Sequence, residues 1–96
     1  MDMPKTVKIG GHDVEVVFSE WSVDRMGASH TPPGKIYINT ACCKSQQEAT
    51  LLHEILEHIN DSCDLELAHG QLSVLETMLY QVFVDNRLCF GRAGEE

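Results

Sequence analysis

His53, Glu54 and Glu57 stand together in the run Thr50-Leu51-Leu52-His53-Glu54-Ile55-Leu56-Glu57-His58-Ile59-Asn60. On a helix, His53 and Glu57 are four apart and project from one side, about one turn from each other. Glu54 is turned about 100° round the axis from His53, at ~3.6 residues per turn. An imidazole and a carboxylate at this spacing are zinc-ligand types, and a carboxylate beside them can take a proton from water. The pattern approaches H-E-x-x-H, which puts two metal ligands and a general base on one helix. Here the string is HEILEH, with Glu57 at the second ligand position and His58 one place late. At i+5, His58 lies about 140° round the helix from His53 and cannot stand in for that ligand.

A hydrolytic zinc site needs three protein ligands and an open water position, so a third ligand must come from elsewhere in the chain. His69 and Glu76, in the next helical run, are the candidates. His69 gives a His/His/Glu set. Glu76 gives a His/Glu/Glu set, and a carboxylate-richer set tolerates manganese or iron as well as zinc. Glu54 is the candidate catalytic residue, a general base toward water attacking a carbonyl.

The elements that must position these residues follow from periodicity. Thr6 to Ile9 alternates, Gly10-Gly11 marks a tight hairpin turn, and residues 12–18 alternate again with Val14, Val16 and Phe18 on one face. Residues 19–24 form a connection whose single Trp, Trp21, is expected as a lid on the core. Residues 25–30 read as a third strand, residues 31–34 (Thr-Pro-Pro-Gly) as a turn, and Lys35 to Asn39 as a strand with Ile36 and Ile38 inward. That last strand could bind an extended peptide along its edge.

Ser45-Gln46-Gln47-Glu48 matches a capping box and predicts a helix from near Gln46 to about Asn60. Leu52, Ile55, Leu56 and Ile59 form its core-facing stripe. Residues 61–68 connect, with Leu65 and Leu67 expected to pack under the connection. A second helix is predicted from His69 to about Asn86, with Leu72, Leu75, Leu79, Val82 and Phe83 as its apolar stripe. His69, Ser73, Glu76 and Tyr80 form a second stripe. A short connection makes the helices an antiparallel pair, so that His53 and Glu57 can face His69, Ser73 and Glu76. The fold class is α+β: a small antiparallel sheet from two hairpins, then two antiparallel helices, in a single domain of 96 residues with its core at about 5–87 and a frayed tail at 88–96.

Composition narrows the function classes. The formal net charge is -8, with only seven Lys and Arg, scattered along the chain, which excludes a conventional nucleic-acid binder. The acidic residues are interleaved with apolar ones and form no charge run, which argues against a DNA mimic. No apolar run approaches the ~20 residues of a membrane span. The first residues lack the apolar segment of a signal peptide, so a cytoplasmic location is expected. Cys42, Cys43, Cys63 and Cys89 form no C-x-x-C pair and are expected as free, partly buried thiols. His12 and His30 are expected at the surface, and His58 on the helix surface or behind the metal ligands.

The string TLLHEILEHIN, preceded by KIYIN and a capped helix start and followed by LSVLETMLYQVFVDN, resembles the small zincin-like proteins encoded by phages and prophages. The resemblance covers roughly residues 5 to 87. It implies a minimal metallopeptidase domain in a bacterial host, with His53 as metal ligand, Glu54 as base and position 57 as a second ligand. The chain departs from the motif at Glu57. Two functions are therefore expected: a zinc-dependent hydrolase acting on a peptide or protein substrate, or a non-catalytic relative of the same fold that binds another protein.

Overall fold

The computed structural model describes residues 3–20, 27–30 and 34–91, with 27–30 described by their backbone. The expected lid Trp21 and the turn at 31–33 lie outside these residues. The element order is β1 (Thr6–Ile9), β2 (His12–Ser19), β3 (Gly27–His30), β4 (Lys35–Asn39), α1 (Lys44–Cys63) and α2 (His69–Asp85). Strands come first and helices after, and the arrangement is α+β.

β1 and β2 form the expected hairpin, with Ile9 opposite His12. The two-residue turn needs positive φ at both central positions, and Gly10 and Gly11 adopt +58° and +85°. Alternation then sorts β2: Val14 and Val16 are buried, while Asp13 and Glu15 face solvent. In β4, Ile36 and Ile38 are completely buried. These four residues form the core, with Val7, Ile9, Phe18, Leu51 and Ile55 packed against it. Burying each such side chain contributes about 1.5–3 kcal/mol.

The sheet is mixed, and this corrects the expectation of an antiparallel sheet. Its order is β1-β2-β4-β3. β3 and β4 do pair antiparallel, but β4 lies parallel to β2, with Val16 opposite Ile36 and Phe18 opposite Ile38. The composition of the strands explains the order. KIYIN has two isoleucines to bury and takes the centre, whereas the small, polar GASH of β3 has little to bury and takes an edge. Lys35–Asn39 therefore has neighbours on both sides, and the expected free edge along it does not exist. Among the described residues the edge strands are β1 and β3.

α1 packs on β1, β3 and β4 and carries α2, whose element contacts among the described residues are with α1 alone. α1 starts differently from the expected capping box, while α2 starts at the expected His69. The cap of α1 is Cys43, not Ser45, and its backbone N–H donates to Oε1 of Gln46 at 3.4 Å. α2 repeats the device: the amide of Ala68 donates to Oε1 of Gln71 at 2.8 Å. Glu48, the expected capping partner, instead accepts from the Tyr80 hydroxyl at 2.7 Å and ties α1 to α2.

α1 also runs past the expected Asn60 to Cys63, closing on Asp64 in the left-handed region at φ 53°. The Asn60 side chain then grips the connection, donating to Leu67 O at 3.1 Å and accepting from Leu67 N at 2.9 Å. Leu65, expected to pack, is exposed.

Candidate metal centre

The antiparallel pairing brings the candidate residues together. Each advance along α1 is a retreat along α2: Glu48 meets Tyr80, His53 meets Glu76 and Glu57 meets His69. Nε2 of His53 lies 2.9 Å from Oε2 of Glu57, and Nδ1 of His69 lies 3.4 Å from the same oxygen. The two imidazoles meet edge to face with centroids 5.0 Å apart. Ligand atoms of His53, Glu57 and His69 all lie within 4.8 Å of one another.

These residues fit a metal ion. Ligands at about 2.0–2.1 Å from a tetrahedral zinc stand roughly 3.3 Å from each other, close to the 2.9 and 3.4 Å separations around Glu57. Two imidazoles and one carboxylate are a donor set that zinc takes. The site is closed on one side and open on the other: the His53 side chain is 13% exposed and that of His69 75%. Three ligands with an open flank suit a hydrolytic site better than a closed structural one.

Glu76 falls outside this triad. Its Oε1 lies 3.8 Å from Nδ1 of His53, the ring nitrogen turned away from Glu57. A carboxylate behind the free nitrogen of a ligating imidazole orients the ring and raises its basicity. Of the two sequence candidates, His69 joins His53 and Glu57 and Glu76 stands behind them. Ser73 shares the stripe of Glu76 and is half-buried.

Glu54 sits on the neighbouring face. It is 7% exposed and shares a buried stripe with Thr50 and His58. Leu51 and Ile55, which pack on the sheet core, flank this stripe. His58, expected on the helix surface or behind the metal ligands, is instead 3% exposed in this sheet-facing stripe, with Nδ1 3.2 Å from the carbonyl of Glu54. Helical geometry is the reason: His58 is one turn from Glu54 and two from Thr50, on the side that meets the sheet.

Sequence reasoning also missed Cys43. All four cysteines are free, but Cys43, Cys63 and Cys89 are exposed rather than partly buried. The Ser45 hydroxyl, then the amide of Gln46, hold the Cys43 thiol below its ordinary range. Its position at a helix start was the available signal. His12 is exposed as expected, and the side chain of His30 lies outside the described residues. No helix among the described residues is long and apolar enough to cross a membrane. No family model, curated protein or solved structure matches the chain.

Proposed function

We propose that this chain is a metal-dependent hydrolase of the small phage or prophage metallopeptidase type, acting on a peptide or protein substrate. The observation that carries the reading is the convergence of His53, Glu57 and His69 within 4.8 Å. These three would hold the ion, zinc by preference, with manganese or iron tolerated because one ligand is a carboxylate. When bound, the ion supplies Lewis acidity toward a carbonyl and makes water acidic enough to deprotonate near neutral pH.

The chain's own residues supply the rest. Glu76, 3.8 Å behind Nδ1 of His53, would orient its ring. Glu54 follows His53 by about 100° round the helix, which sets it on the sheet side of the ligand pair. Its role is to accept a proton from the attacking water and return it to the leaving amine.

The test is peptide hydrolysis by zinc-loaded protein, read by mass spectrometry of a peptide mixture. Cleavage by the wild type, lost in Glu54→Gln while the metal is retained, is the expected result. Cleavage that survives Glu54→Gln contradicts the role of Glu54.

A second reading is a non-catalytic binding protein built on the same fold. It draws support from the 7% exposure of Glu54, which leaves the base little open surface toward a substrate. Absence of cleavage with metal bound would favour it.

A further inference from the structure

Asn60 extends the ligand stripe of α1. His53, Glu57 and Asn60 stand at i, i+4 and i+7, on one side of the helix. Opposite them, in reverse order along the chain, stand Glu76, His69 and Leu67. The Asn60 amide meets the backbone of Leu67 twice. Nδ2 donates to the Leu67 carbonyl at 3.1 Å, and Oδ1 accepts from its N–H at 2.9 Å. Leu67 offers one acceptor and one donor here, so the pairing fits a single orientation of the amide.

We propose that Asn60 is a positioning residue that holds His69 within reach of the metal, an inference that rests on the metal reading above. Three observations carry it.

His69 has little else to place it. It is the first residue of α2, its side chain is 75% exposed, and it follows Leu67 by two residues. Of residues 61–70 all are exposed except Leu67, so packing does not anchor the connection. Among the described residues, the hydrogen bonds that tie residues 66–68 to α1 are the two made by the Asn60 side chain.

The connection is also strained. Asp64 and Glu66 adopt φ of 53° and 61°, a region that residues with a Cβ rarely occupy. Such backbone persists only where its surroundings hold it. Asp64 and Leu65 are held by their N–H bonds to the Asn60 carbonyl. Beyond them the hold passes to the Asn60 side chain.

The other clasp between the helices is distant. Tyr80 donates to Glu48 about three turns along α2 from His69. It fixes the pair at that end and leaves the His69 end to Asn60. A zinc ligand must sit within ~0.2 Å of its bond length, so a small drift of the connection takes His69 out of the site.

Zinc affinity of the whole chain, measured by competition with a chelator, tests the assignment. Asn60→Ala is expected to weaken binding about 10-fold, the loss typical of a group that orients a ligand. In a His69→Ala background the same substitution is expected to leave affinity unchanged, since no ligand remains to be placed. Magnetic resonance of the imidazole nitrogens is expected to show zinc shifting both His53 and His69 in the wild type, and His53 alone in Asn60→Ala. Asn60→Leu, close in size and lacking both bonds, is expected to behave as Asn60→Ala does. Wild-type affinity in both variants overturns the inference and leaves the metal reading standing. An equal loss with and without His69, or unfolding of both variants, also overturns it, because Asn60 would then support the fold and not one ligand. A wild type that binds no zinc overturns the inference and the metal reading together.

Discussion

Two polar stripes run side by side along α1, and they use the same residue types. One carries His53 and Glu57; the other carries Thr50, Glu54 and His58. The first lies at the margin where α2 crosses. Its side chains are 13% and 31% exposed and find two further donors, His69 and Glu76, on the second helix. The second stripe is pressed against the sheet, with His58 3% exposed and its Nε2 lacking a hydrogen-bond partner among the described residues. A His and a Glu on a helix are thus neither ligands nor core by type. What decides is the surface that the face meets, wet and donor-rich in one case, dry and apolar in the other.

The largest effects belong to the open stripe. His53→Ala should weaken metal binding more than 100-fold, since even an outer partner of a ligand is worth ~10–100-fold. Glu57→His should strengthen zinc binding, because it restores the usual donor at that position. A zinc-chelator competition titration measures both. Glu76→Gln keeps the shape of the side chain but removes its charge behind His53, and should weaken binding about 10-fold. An unchanged affinity would mean that Glu76 does not orient the ring.

Effects on the dry side are read as stability. Ile38→Ala removes a fully buried side chain beneath α1 and should cost about 2–5 kcal/mol in denaturant unfolding. The Tyr80–Glu48 bond that clasps the helices is smaller, and Tyr80→Phe should cost about 1 kcal/mol. Acceptance of the phenolic proton by Glu48 pushes the Tyr80 pKa up from 10.0 to about 12. A folded pKa above the unfolded one favours the fold while the group is protonated. The stabilisation is complete below pH 10 and disappears as the pH rises through about 12. Over that window the stability gap between wild type and Tyr80→Phe should close. Smallest is His58→Leu, which replaces an under-bonded buried imidazole with an apolar side chain. It should leave stability unchanged or raise it by up to about 1 kcal/mol. A loss of several kcal/mol would show that His58 has a polar role.

Much of this was legible in the sequence. Period-two runs gave the strands, Gly10-Gly11 the turn, and HEILEH with the His69 stripe the meeting of the helices. The misreadings share a cause. α1 is docked on two sides, so its apolar residues cover two faces. Leu52, Leu56 and Ile59 were expected to be its buried stripe together with Ile55. Only Ile55, with Leu51, packs on the sheet core, while the buried positions of the helix are Thr50, Glu54 and His58. Periodicity finds an apolar face but does not say which neighbour it meets. The parallel contact of β2 and β4 was equally hidden, because local turns specify hairpins and not how hairpins dock. The start of α1 was placed late because the bond comes from the third residue, Gln46, back to the cap amide, whatever the cap side chain is, whereas α2 starts at the expected His69.

The central claim is that the open stripe holds a metal. Its most direct test is metal content by mass spectrometry on protein purified without chelator or metal-affinity resin, beside His53→Ala. About one equivalent of zinc, manganese or iron in the wild type, as expected for one three-ligand site, and none in the variant is the predicted result. No metal in either protein, even after soaking with zinc, would contradict it and leave His53, Glu57 and His69 as a polar clasp between two helices.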